Sequence, residues 1–188
     1  MKYLLSLALV AITTTTLLAS DPPSANMDWV KYTVPGEGHK ILDSTVGKFT
    51  YTSKFWMAAN TTPETSKGTS ESKWILDGRY VEQEVTGTAM GKPFHGKGVT
   101  GFDSFKQEYQ STWMDTMSTA IMLVTGTKQG DTIKQSGTGS DPMTGTKDKW
   151  FRTELNIKSK NEHTFAMWSK DEKGQEFKTM EMDYKRKK

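Results

Sequence analysis

The sequence predicts an all-β fold, a single antiparallel up-and-down β-barrel of about ten strands with a short N-terminal helix. After Gly47, apolar and polar residues alternate in short runs, a pattern typical of strands with one wet face. Turn residues such as Asp77-Gly78 and Gln129-Gly130-Asp131 separate the runs at short intervals, as hairpins require. No long helical pattern lies between the runs, which argues against a parallel α/β sheet.

The individual elements follow from local patterns. Ile41, Leu42 and Val46 have helical spacing, so we expect a short helix over residues 39–46 that ends at Gly47. So many strands in series must form a sandwich or close into a barrel, and short sequential hairpins favour closure. The predicted strands lie near residues 48–57, 69–76, 79–87, 94–102, 106–115, 120–126, 132–138, 149–157, 163–169 and 176–184.

The N-terminal segment has the layout of a secretory signal peptide. Lys2 precedes an apolar run over residues 3–12, and small residues follow at Ala19-Ser20. The run is shorter than the ~20 residues of a membrane span. We therefore expect residues 1–20 to be removed on export to the periplasm or the extracellular space, with no membrane span in the mature chain. Residues 21–34 then form a leader and residues 35–188 one domain.

Composition limits the classes of function. The formal net charge of +3 is too small to suggest a nucleic-acid partner. The absence of cysteine excludes thiol chemistry and disulfides. No Gly-x-Ser-x-Gly motif surrounds a serine, and no pair of carboxylates is singled out by its spacing. We therefore expect no catalytic residue, and the oligomeric state is left open.

Several longer segments resemble one bacterial family. They are residues 35–42, Gly47-Lys48-Phe49, GRYVEQE over 78–84, the run from Gly91 to Thr119, DPMTG over 141–145 and GQEFKTMEMDYKR over 174–186. Together they are similar to domain-of-unknown-function family 1579, over nearly the whole chain after residue 29. The resemblance implies a calycin-like barrel, similar to lipocalins and fatty-acid-binding proteins, and it implies no activity.

The resemblance also implies how the barrel closes. Calycin-like barrels often open with Gly-x-Trp, and a cation from the last strand covers the ring. Here Phe49 takes the place of the tryptophan and Arg186 is the corresponding cation. Phenylalanine attracts a cation less strongly than tryptophan, so we expect a weaker contact.

A barrel of this size is wide enough to hold a small molecule. The candidate residues for lining it share strand faces with apolar residues. They are Arg79, Gln83, Tyr109, Trp113, Asp115, Arg152 and Trp168. A buried arginine or carboxylate needs a partner. Arg79 or Arg152 would pair with Asp115, or would bind a ligand carboxylate. The alternative is a packed core with structural ion pairs.

The histidines give no metal signature. His39, His95 and His163 are far apart and lack the spacing of a zinc site. His163 starts a predicted strand near a rim, so it is either a solvated turn histidine or the single ligand of a haem. The methionines either fill the core, soften an apolar pocket or bind copper as thioethers.

The function predicted from the sequence is that of an exported barrel that binds or carries a small apolar or amphipathic molecule, with no cofactor and no metal. Two alternatives remain open. One is a haem-binding or enzymatic barrel that uses the same pocket. The other is a structural or interaction domain with a filled core.

Overall fold

The computed structural model describes residues 27–188, so the predicted signal peptide and residues 21–26 of the leader lie outside the described residues. A 3₁₀ helix, a one-turn α-helix and a second 3₁₀ helix precede ten strands. Their bounds are Met27–Tyr32, α1 Glu37–Lys40, Ile41–Thr45, β1 Gly47–Phe55, β2 Glu64–Ile75, β3 Tyr80–Ala89, β4 Lys92–Asp103, β5 Glu108–Asp115, β6 Met122–Gln129, β7 Thr132–Asp141, β8 Thr146–Ser159, β9 Glu162–Lys170 and β10 Glu176–Arg186.

Each strand pairs antiparallel with its neighbours in the chain, and β1 pairs with β10 to close the barrel. The predicted fold class is confirmed. Because the hairpins alternate in direction, the barrel has two distinct ends. The helices lie at one end, which we call the helical end. The loops after β1, β3, β5, β7 and β9 surround the other end, which we call the mouth. Within the described residues, no helix has the length and apolarity of a membrane span.

The N-terminal helices close the helical end. Leu42 is 1% exposed and packs against Val81, Tyr109 and Ile133. The Tyr109 hydroxyl donates a hydrogen bond of 2.7 Å to the carbonyl of Gly38. The predicted helix over 39–46 is present as one turn of α-helix followed by a 3₁₀ turn that ends at Thr45. Burial of its apolar residues in the barrel end accounts for the helical spacing seen in the sequence.

The seam between the first and last strands is held by Arg186. Its guanidinium carbon lies 4.5 Å from the centre of the Phe49 ring. The same guanidinium donates to the carbonyls of Lys160 at 2.7 Å, Val46 at 2.8 Å and Ser44 at 3.3 Å. The contact between Phe49 and Arg186 that the family resemblance implies is therefore present. Backbone carbonyl groups are the hydrogen-bond partners of the guanidinium.

Gly47 permits this arrangement. Its φ of +120° is a conformation that L side chains rarely adopt, and a Cβ there would lie 2.3 Å from Nη1 of Arg186. The position of the Arg186 side chain therefore requires a glycine at position 47, the first residue of β1.

The start of β2 differs from the prediction. The strand begins at Glu64, five residues before the predicted start at Thr69. The residues before Thr69 that face inward include Ser66 and Gly68. Neither is apolar and large, so this part of the sequence shows no alternation of apolar and polar residues. Gly68 faces inward opposite Tyr51, and a Cβ there would lie 2.4 Å from the Tyr51 hydroxyl oxygen, so the position has no room for a side chain.

We expect Arg186→Met to lower the free energy of unfolding by about 2–3 kcal/mol, because three carbonyls lose a charged donor and the seam loses its cation. Urea unfolding measures this loss. The matched control is Arg152→Met on the outer wall, where ion pairs near solvent contribute less than about 1 kcal/mol. Equal losses in the two variants would show that Arg186 has no special role in closure.

Candidate functional site

The interior holds a second apolar cluster between the helical end and the mouth. Phe49, Tyr51, Val85 and Tyr184 are each 5% exposed or less. Three of these side chains lie on the paired strands β1 and β10, and Val85 lies on β3, two strands from β1, so the four pack together inside the barrel. This layer forms a floor below the mouth.

Four further side chains pack on this floor without being fully buried. They are Phe94, Trp113, Phe165 and Met182, and we call them the mouth cluster. Each faces inward by strand alternation, yet each keeps contact with solvent. Other half-buried inward residues continue the same lining at Phe55, Met122, Met167 and Met180. The side chains that line the interior on the mouth side are therefore mainly apolar and partly accessible to solvent.

Trp113 lies flat against the wall because β4 has glycines beside it. A Cβ on Gly96 would lie 2.3 Å from the indole ring, and one on Gly98 would lie 2.9 Å from it. The indole nitrogen donates a hydrogen bond of 2.8 Å to Asp115, which also accepts from the backbone amide of Met117 at 2.8 Å. The glycines and the carboxylate together hold the ring out of the centre of the mouth.

The polar groups of the interior are mostly neutral. Gln83 donates to Ser70 at 3.0 Å. Ser111 lies between Thr100 at 2.9 Å and Gln135 at 3.1 Å. These side chains form short hydrogen-bonded groups within the wall and satisfy one another.

His163 lies in the floor and not at a solvated rim, so the expectation of a solvated turn histidine is wrong. It is 3% exposed, stacks on Tyr184 with ring centres 4.5 Å apart, and meets Phe49 edge-on at 4.7 Å. Burial, together with the nearby Arg186 cation, lowers the pKa of His163 to about 4. Its Nδ1 atom is buried without a hydrogen-bond partner among the described residues.

A haem does not fit this histidine. Both the stacked Tyr184 ring and the Phe49 edge occupy the space beside the imidazole. A planar macrocycle would have to displace two buried aromatic side chains of the floor. The haem alternative therefore has no support at His163.

Arg79 lies away from the mouth, in the turn between β2 and β3 at the helical end. Its Nε donates to the carbonyl of Thr33 at 2.9 Å and its Nη1 to that of Leu76 at 3.1 Å. It also faces Asp77 at 3.6 Å. Arg79 thus ties the N-terminal segment to a turn, and it does not pair with Asp115.

Arg152 and Trp168 lie on the outer wall. Phe151 and Thr153, the chain neighbours of Arg152, are buried inside, so Arg152 points outward. Its guanidinium stacks 3.9 Å from the Trp168 ring centre and pairs with Glu154 at 2.9 Å and Glu176 at 2.8 Å. The predicted pairing with Asp115 is therefore wrong for this arginine as well.

Of the seven predicted lining residues, Trp113 and Asp115 come together at the mouth, and Gln83 lies deeper in the same interior. Tyr109 faces inward but is part of the packed layer under the helices. Sequence reasoning missed Phe94 and Phe165. The signal for them was available, because they lie in strand halves that hairpin direction brings to the mouth.

The rim of the mouth is rich in methionine. Four of its five loops present an exposed methionine, namely Met57, Met90, Met117 and Met143. The loops over residues 56–63 and 116–121 contain no charged side chain. A cleft of about 470 Å³ lies beside this rim, and its walls include Trp56 and Phe177 together with Asp171, Glu176 and Lys178. The four methionine loops give the rim adaptable apolar side chains, whereas the loop over residues 171–175 is charged.

Comparisons with known proteins support the fold. The sequence profile of a family described as "Protein of unknown function (DUF1579)" matches residues 34–186. No curated protein matches the sequence.

Two solved structures are similar to this barrel. Rv2717c from M. tuberculosis has a TM-score of 0.57 at 12% identity, covering 82% of this chain and 100% of that chain. The S-type phycobiliprotein lyase CPES from Guillardia theta has a TM-score of 0.57 at 10% identity, covering 79% and 92%. At these identities the likeness concerns the fold alone.

The buried His163 makes stability depend on pH. In the unfolded chain its pKa is near 6.5, so the unfolded state binds a proton below that pH while the folded state stays neutral until about pH 4. The free energy of unfolding should therefore fall as the pH drops through this window. Between pH 7 and about pH 4.5 the loss due to His163 should be about 2–3 kcal/mol.

Urea unfolding of wild type and His163→Phe at both pH values isolates this effect, because all other titrations are common to the two proteins. The exposed His95→Phe serves as the control and should keep the wild-type dependence on pH. The same pH dependence in wild type and His163→Phe would contradict the buried neutral histidine.

Proposed function

Because this chain belongs to the DUF1579 family of proteins of unknown function, we propose its function from the barrel itself: it binds a small, largely apolar molecule in the mouth. The observation that supports this most directly is the mouth cluster. Phe94, Trp113, Phe165 and Met182 face the interior and pack on a buried floor, yet they remain half-exposed. Ligand pockets are typically concave and apolar with a few polar groups.

The asymmetry of the barrel supports the same proposal. At the helical end, Leu42 and Tyr109 fill the interior and are 1% and 2% exposed. A structural or interaction domain that binds no ligand would be expected to bury its apolar residues at both ends, because apolar surface exposed to water costs free energy. The half-buried apolar residues of the mouth favour ligand binding over a core filled at both ends.

The lining favours reversible binding over catalysis. Aromatic and methionine side chains supply apolar contact, and Asp115 is held by Trp113 and Met117. These hydrogen bonds give the Asp115 carboxylate a role in positioning the Trp113 ring. The similar fold of a phycobiliprotein lyase from Guillardia theta is compatible with a barrel that holds a small molecule. We further propose that the protein does this after export, from the signal-peptide pattern of residues 1–20.

A neutral fluorescent probe, N-phenyl-1-naphthylamine, tests the proposal. We expect it to bind with increased emission, and we expect Met122→Ser to weaken its binding about tenfold, because one apolar contact in the mouth is worth roughly 1–2 kcal/mol. Met122 faces inward opposite Trp113. Fluorescence titration gives the dissociation constants.

The matched control is Leu123→Ser, one residue further along β6. Leu123 is 57% exposed on the outer wall, so this variant removes a similar apolar side chain without touching the mouth. It should bind the probe within about twofold of wild type. Probe binding that falls equally in both variants, or no binding to wild type, would contradict a site in the mouth.

A further inference from the structure

The charge pattern of the barrel points to the chemical class of the ligand. Among inward-facing strand positions that are buried or half-buried in residues 27–188, four carry a formal charge at neutral pH. They are Asp115, Asp141, Lys149 and Arg186. The other buried and half-buried residues of the mouth lining are aromatic, methionine, glycine, serine and small aliphatic residues, and the exposed Glu64 and Lys92 face inward at the outer ends of β2 and β4. A ligand that enters the mouth therefore meets very few charges.

The two cations are already engaged. Arg186 lies at the helical end and donates to the carbonyls of Lys160, Val46 and Ser44. Lys149 lies at the rim and pairs with Asp141 at 2.5 Å. Asp141 also accepts from Thr144 at 2.9 Å. Neither cation is free to meet an anionic ligand.

The carboxylates are engaged as well. Asp115 accepts from Trp113 and Met117, and hydrogen bonds from Lys149 and Thr144 keep the pKa of Asp141 below its usual value in spite of burial. Only Asp141 has a cation beside it, because Asp115 accepts from neutral donors alone. An anion in the mouth would lose its hydration and meet no unpaired cation among the buried and half-buried inward residues, since Lys92 and Glu64 stand exposed at the outer ends of their strands. Burying an unpaired charge costs several kcal/mol.

Neutral polar groups, in contrast, are present in the interior. Ser53 and Ser169 face inward on the mouth side, whereas Ser72 Oγ and His163 Nδ1, which are buried without a hydrogen-bond partner among the described residues, lie at or behind the floor. Gln83 and Ser70 lie on neighbouring strands in the same interior. Hydroxyl, ester or amide groups suit such surroundings, because their transfer from water costs far less than that of an ion.

We propose that the mouth selects uncharged amphipathic molecules, such as long-chain alcohols or esters, and rejects alkyl carboxylates. This inference rests on the proposed function of the mouth as a ligand site. It differs from recognition of a carboxylate by Arg79 or Arg152, since neither arginine lies in the mouth. The pairing of Lys149 with Asp141 is the feature that excludes anions.

Displacement of bound N-phenyl-1-naphthylamine tests the selectivity. The competitors are decan-1-ol, methyl decanoate, decanoate and decylammonium, which share one chain length, at neutral pH and below micelle formation. We expect the alcohol and the ester to displace the probe and decanoate to be at least about tenfold weaker, with decylammonium, which can pair with Asp115, binding more tightly than decanoate. Decanoate as effective as decan-1-ol would overturn the inference while leaving the ligand site intact. Failure of the probe itself to bind would remove the proposed function and the inference together.

The variant Asp141→Asn tests the mechanism. It keeps the acceptor for the Met143 amide, whereas the amide nitrogen that replaces the second oxygen can only donate, so Thr144 loses its acceptor and Lys149 loses its anion. Decanoate should then bind at least about fivefold more tightly than to wild type, with decan-1-ol unchanged. Lys54, which pairs with Glu181 on the outer wall, provides the control. Glu181→Gln frees that lysine and should leave decanoate binding at the wild-type level, and an unchanged decanoate affinity in Asp141→Asn would overturn the role of the ion pair.

Discussion

The barrel depends on a single long-range contact, the pairing of β1 with β10. Without it, ten strands would form an open sheet with two exposed edges, which is a risk for aggregation. Arg186 reinforces the seam from inside by joining three carbonyls and the Phe49 ring. The same contact orders the floor, because Phe49 and Tyr184 are buried only when their strands are adjacent. The shape of the mouth above the floor follows from that closure.

A second constraint is that a large side chain on one strand needs a glycine on the strand beside it. The Tyr51 ring occupies space that side chains at Gly68 and Gly87 would fill, and Trp113 does the same at Gly96. Large rings are thereby accommodated along the wall and not across the centre. The glycines of β2, β3 and β4 are thus as important for an open interior as the aromatic residues that line it.

The sequence was sufficient for the fold, because alternation and turn chemistry are local signals. All ten strands lie near their predicted positions, and the early start of β2 was hidden by small residues such as Ser66 and Gly68. The candidate site was less predictable. Arg152 and Trp168 are adjacent on the outer wall, and only the register of β8 with β9 tells that face from the inner one. His163 was predicted to lie at a rim because it is close to the start of its strand. Its burial depends on the N-terminal helices, which extend the barrel beyond that strand end. Trp113 and Asp115 were found because a single strand brings them together.

The methionine rim has a consequence for chemical damage. Thioethers exposed on loops are the methionines that oxidants reach first, and oxidation converts each one into a polar sulfoxide. Met57, Met90, Met117 and Met143 stand around the entrance, whereas Met182 lies on the floor behind it. Oxidation would therefore affect the entrance first. It would make the side chains of the rim more polar before it altered the residues that line the interior. In an oxidising medium, the first effect on this protein would be a change in access to the barrel interior, and the fold would be retained at that stage.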